Sequence, residues 1–229
     1  MKGGELHRSC DFKIEYELLK QKRHNWKQTI RYGLLIANIL TVLNNLRLFP
    51  AWEFLVFFSN WGLIMATLSI FLTIKCAEDQ NTHSKLHLLA CNHILFEVSF
   101  LSGLIINGIY WNLIYPAKIK EETRLDVIFQ MWTLHLVPWI STLANFFITD
   151  IIFLRRHRRQ IFWIGFTYVI SNLITTKMRG KPAYTFMTWS DPLSYMIAFS
   201  LVVIAVLVFN LFVLFSEILK GRKTQYKTA

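Results

Sequence analysis

The chain has 229 residues, 54% of them hydrophobic, with a formal net charge of +11 and a mean hydropathy of +0.37. A soluble domain of this length needs more polar surface, and here the charges fall in short clusters between long apolar runs, so a bilayer is the expected solvent. Three widely spaced cysteines (Cys10, Cys76 and Cys91) with no CxxC argue against a disulfide scaffold, and no Asn-x-Ser/Thr acceptor is present.

Residues 14–31 mix apolar and basic side chains at roughly helical spacing and predict an amphipathic helix on the membrane surface. The first apolar run, 30–49, stops at Pro50; others follow it, so it reads as a retained span rather than a cleaved signal. The second run covers 54–74. The third covers 86–114 and closes at Tyr115-Pro116. The fourth covers 127–154 and abuts the basic block RRHRR. The fifth, 161–175, is short against the ~20 residues a bilayer requires. The sixth, 195–218, is the most uniformly apolar and leaves through Lys220, Arg222 and Lys223.

This predicts an all-α integral membrane bundle of six transmembrane helices. It divides into a basic amphipathic segment (1–29), the bundle (30–219) and a basic tail (220–229). Charge supports the layout. Of 25 Lys and Arg, 18 fall in the two tails and the loops on their side. Positive residues mark the cytoplasmic or matrix side, so both termini are expected there. Several tryptophans, among them Trp26, Trp52, Trp61, Trp111, Trp132 and Trp189, sit near span ends, as an interfacial belt does. Arg155, Arg156, Arg158 and Arg159 read first as a topology anchor and second as a site for lipid head groups. No aromatic-basic groove surrounds them, which excludes nucleic acid as the expected partner.

Ionisable side chains at bilayer depth are costly and mark function more often than chance allows. The candidates are His93, Glu97 and His135, with Ser59, Asn60, Asn107 and Asn145 as uncharged company. At ~1.5 Å per residue, Ser59 and His135 lie within about one turn of the same depth. A histidine beside a hydroxyl can act as its base and raise it to a nucleophile. A carboxylate on the other ring nitrogen, here Glu97 supported by His93, would orient the imidazole. The bland alternative is mutual satisfaction of buried polar groups across helices. A metal set of His93, Glu97 and His135 is too sparse to expect, and P-loop, dinucleotide, HExxH and GxSxG motifs are absent, so no cofactor is predicted.

Four segments carry a further signal in order: FFSNWGLIMATLSIFLT, INGIYWNLIYP, MWTLHLVPWIS and PAYTFMTWSDP. Together, over about residues 54–192, they resemble the FAR-17a/androgen-induced family of multi-span membrane proteins and its rolling-stone-like relatives. The resemblance implies six helices, and for some members hydrolysis of fatty-acid esters of hydroxy fatty acids by an intramembrane Thr and His. Matched by motif, those positions fall on Ser59 and His135; serine keeps the hydroxyl nucleophile.

Two functions follow as expectations. One is a membrane-embedded hydrolase of fatty-acyl esters, with Ser59 and His135 as the catalytic pair and Glu97, His93 and Asn60 in support. The other is a non-catalytic accessory subunit that binds lipids and neighbouring subunits of a large membrane complex, plausibly in a mitochondrial inner membrane. Sequence leaves endomembrane, plasma membrane and mitochondrial inner membrane open.

Overall fold

The computed structural model describes residues 25–50, 54–78 and 85–221. Most of the expected amphipathic segment, Trp52 and most of the basic tail lie outside the described residues. Within them the chain is all-helical, with six long helices. In chain order these are α1 (Asn25–Leu48), α2 (Phe58–Glu78), α3 (Lys85–Ile109), a short α4 (Tyr115–Glu121), α5 (Leu125–Ile148), α6 (Arg158–Arg179) and α7 (Pro192–Ser216). Four helical stretches, Phe58–Glu78, His87–Glu121, Leu125–Ile148 and Pro192–Lys220, are long and apolar enough to cross a membrane.

Boundaries differ from the sequence reading in three places, each for a local reason. Tyr115-Pro116 does not end the third helix: a π-turn at Tyr110–Ile114 leads into α4, whose Pro116 occupies the first turn, where no amide donor is needed. The fourth helix stops at Ile148 rather than 154, and residues 151–154 run without helical pairing. Two of their amides are satisfied from other elements: Phe153 N–H donates to Ser216 Oγ (2.9 Å) and Leu154 N–H to Glu97 Oε1 (2.6 Å). The fifth helix is 22 residues long, because its arginine-rich start and Lys177–Arg179 end are helical as well. Gly180, at φ 67°, closes it in the left-handed conformation that glycine tolerates.

Around α2 the bundle is close-packed, with α3, α1 and α5 against it; α6 pairs with α7. Glycine permits two of these approaches. A Cβ on Gly62 would stand 2.7 Å from Ile106 Cδ1, and one on Gly103 would stand 2.9 Å from Trp139 Cε3. An aromatic cluster of Phe96, Phe100, Phe146, Phe153 and Phe209 fills the space between α3, α5, the 151–154 segment and α7.

Helix α1 is too polar to count among the apolar four, and its polar residues explain where it sits. Arg31, Asn38 and Asn45 repeat every seven residues and are buried, so they share one face. Arg31 Nε donates to Asn145 Oδ1 (3.3 Å) and Asn38 Nδ2 to Ser141 Oγ (2.7 Å), both on α5. Asn45 Nδ2 donates to Asn60 Oδ1 on α2 (2.7 Å) and its Oδ1 accepts from Gln130 Nε2 on α5 (2.8 Å).

Candidate functional site

Two buried polar centres stand out in the bundle. The first is a cavity of about 610 Å³ between α2, α3, α5, α6 and α7, roofed by the 180–187 loop. Val98, Leu101, Ile105, Ile164 and Val202 line its apolar side; Lys118, Arg124, Lys181 and Glu122 line its charged end. Ser59, Asn60 and His135 all line this one space. Ser59 and His135, 8% and 7% exposed, come to it from different helices.

The chemistry of His135 follows from its contacts. Its Nδ1 lies 2.7 Å from the Met131 carbonyl, which can only accept, so Nδ1 carries the proton and Nε2 keeps the basic lone pair. Tyr110 stacks on the imidazole with ring centroids 3.3 Å apart and planes within 8°. Asn107 Nδ2 holds the His135 carbonyl (3.0 Å) and is itself fixed by Trp111 Nε1 on its Oδ1 (2.8 Å). Main chain and ring stacking therefore orient the imidazole, a role that sequence assigned to Glu97. No hydrogen bond joins Ser59 to His135 among the described residues. Asn60 is committed elsewhere, accepting from Asn45.

The roof over the cavity is tied to the helices by an aromatic network. Tyr184 Oη accepts from Phe58 N–H (3.0 Å), one residue before Ser59. Tyr168 Oη donates to Val56 O (3.2 Å) and accepts from Asn172 Nδ2 (3.2 Å), whose Oδ1 takes Trp189 Nε1 (2.8 Å). The motif containing Tyr184 and Trp189 thus sets the start of α2 against the end of α6. Burial raises the Tyr184 hydroxyl above its ordinary pKa, so it stays a neutral partner.

The second centre is Glu97 with His93 and His157, whose donor atoms all lie within 4.8 Å of one another. Glu97 is wholly buried. Its Oε2 lies 2.5 Å from His157 Nδ1, and its Oε1 lies 3.1 Å from His93 Nε2 and 2.6 Å from Leu154 N. His-His-Glu is a set that could hold a divalent ion. The protons are placed against it. His93 Nε2 is 2.7 Å from the Ile152 carbonyl, so it carries hydrogen. Arg156 Nε donates to His157 Nε2 (3.4 Å), leaving the hydrogen on Nδ1, toward Glu97. Both imidazoles are donors here, and the trio latches the 151–157 segment onto α3.

Sequence groups His93 and Glu97 with His135; the structure groups them with His157, which in sequence is one letter of the basic block. His157 is the one residue of RRHRR that turns inward. Arg155, Arg156, Arg158 and Arg159 around it are all exposed. Tyr110 was missed altogether, because an aromatic near a span end reads as interfacial.

No family model, curated protein or solved structure matches the chain.

Proposed function

We propose that the chain is a six-span integral membrane protein, both termini on one side, that takes a fatty-acyl ester into the cavity and hydrolyses it with Ser59 and His135. The observation that carries the reading is the convergence of a serine and a correctly protonated histidine, from α2 and α5, on one apolar cavity. The order of motifs that resembles the FAR-17a/androgen-induced family supports it. So do the exposed apolar side chains of α1 and α7, including Ile36, Leu40, Leu43, Phe199, Leu207 and Leu211, which suit lipid contact. The apolar wall takes the acyl chain, and Lys118 and Lys181 suit the polar end. Arg155, Arg156, Arg158 and Arg159, at the other end of the bundle, meet lipid head groups.

The reaction balances without a cofactor. Ser59 Oγ bonds to the acyl carbon while His135 Nε2 takes its proton, and the carbonyl pair moves onto oxygen. Collapse breaks the ester C–O bond, and the leaving alkoxide takes the proton from His135. Water then repeats the sequence on the acyl-serine and releases the acid. The protein in nanodiscs should hydrolyse an umbelliferyl palmitate ester, and S59A and H135A should each lose at least about 10³-fold in kcat. Equal rates for S59A and wild type would remove the catalytic assignment.

A second reading keeps fold and cavity and drops the chemistry: an accessory membrane subunit whose cavity holds a structural lipid. The lack of a hydrogen bond between Ser59 and His135 favours it. It predicts a co-purifying lipid, displaced by filling the cavity, and no turnover in any variant.

A further inference from the structure

One side chain in the cavity lining has an unmet requirement. Tyr110 is 5% exposed and lines the cavity, yet its hydroxyl has no hydrogen-bond partner among the described residues. A buried hydroxyl without a partner is unfavourable, because it has given up its bonds to water for nothing. It persists where something other than the protein supplies the partner.

Position makes the hydroxyl useful. Thr73 of α2 bonds Asn92 of α3 (3.1 Å) at one end, and Gly62 meets Ile106 at the other, so α2 and α3 run antiparallel. Ser59 lies three residues before Gly62, and Tyr110 four residues after Ile106. Both steps lead the same way along the bundle, by about one helical turn. Ser59 and Tyr110 are therefore level with each other, and Tyr110 lies flat on His135. Tyr110 also opens the π-turn of α3. Such a turn inserts one residue and re-aims a side chain, and it recurs at functional sites.

We propose that the Tyr110 hydroxyl is the cavity's hydrogen-bond donor to an acyl carbonyl oxygen, holding the ester beside Ser59 and His135 and stabilising the oxyanion as it forms. The catalytic part rests on the reading given above; the donation itself does not. Tyr110 keeps its proton throughout: it donates to the carbonyl, more strongly as negative charge builds on oxygen, and releases it when the carbonyl reforms.

The test compares wild type, Y110F and S59A in nanodiscs, using a long-chain methyl ketone labelled with ¹³C at the carbonyl and an umbelliferyl palmitate ester. Y110F retains the ring on His135 and removes only the unpartnered hydroxyl, so it folds with an unchanged or higher Tm. The bound ketone's carbonyl stretch is expected at lower frequency in wild type than in Y110F. Its affinity should fall about fivefold to tenfold in Y110F. Hydrolysis should lose about 10²-fold in kcat with KM changed less than threefold. Identical carbonyl stretches in wild type and Y110F, or a ketone that does not bind wild type, overturns the proposal. If S59A is inactive while Y110F matches wild type, the donor assignment fails and the hydrolase stands. If no variant turns over but the Y110F stretch shifts, Tyr110 stands as a ligand contact and the hydrolase falls.

Discussion

Glu97 shows how one residue is governed by its neighbours. It presents two oxygens to three donors, drawn from α3, the 151–154 segment and the turn before α6. Removing the carboxylate strands the His157 imidazole N–H and the Leu154 main-chain amide in the interior, while His93 keeps the Ile152 carbonyl. E97A should cost roughly 3 kcal/mol and release the arginine block from α3. Thermal unfolding together with faster proteolysis near Arg155 checks this; an unchanged Tm would show that the latch is dispensable. The carboxylate was legible in sequence as a buried polar group, but its partner was not. Spacing along α3 gives His93 as a neighbour of Glu97, one helical turn away. Nothing in RRHRR separates its histidine from its arginines, because the inward turn arises from the irregular 151–157 segment. That Ser59 and His135 would reach one space was legible, since each has a depth that can be counted from a helix end. Tyr110 was not, because π-turns carry no sequence signature.

At the scale of elements, helix ends and polar seams carry the specificity. The start of α7 is capped by Asp191, whose Oδ1 accepts from Ser194 N–H (3.0 Å) behind Pro192. The Thr188 hydroxyl, and after it the Ser194 amide, hold the Asp191 carboxyl below its ordinary pKa of 3.8. A depressed carboxylate contributes stability that is present above the unfolded value and lost as pH falls through the folded one. The cap should thus be intact at neutral pH and weaken below about pH 4, and D191N should flatten that part of a Tm-against-pH profile. A profile identical in D191N and wild type would assign the acid sensitivity elsewhere. The seam of α1 makes a parallel case. Asn45 links Asn60 and Gln130 at the cavity's edge. N45L leaves both partners unsatisfied and should lower stability by about 1–2 kcal/mol, measured by thermal unfolding in detergent, whereas L43A at an exposed position should cost well under that. Helix positions were legible because apolar runs are long. Their ends were not always, since Pro116 can continue a helix and arginines can begin one.

For the whole molecule, the order of six long helices puts the cavity mouth, with Lys118, Arg124 and Lys181, at one end and the arginine block at the other. A six-span arrangement in the bilayer therefore predicts that single cysteines at 120 and 181 label from one side of a sealed vesicle. Cysteines at 155 and 159 label only after permeabilisation, or the converse. Labelling of both pairs from one side would break the topology. By hydropathy, four of these helices are long and apolar enough to cross a membrane; α1 and α6 are more polar, with internal hydrogen bonds in α1 and charged ends in α6.

The central claim is that Ser59 is a nucleophile served by His135 inside a lipid-sized cavity. It is tested most directly by peptide mapping after treatment with a long-chain fluorophosphonate, which loses fluoride as the Ser59 Oγ–P bond forms. The account predicts one adduct on the peptide carrying Ser59, abolished in S59A and strongly slowed in H135A. An unlabelled Ser59 in a protein that hydrolyses acyl esters, or an adduct indifferent to H135A, would contradict it.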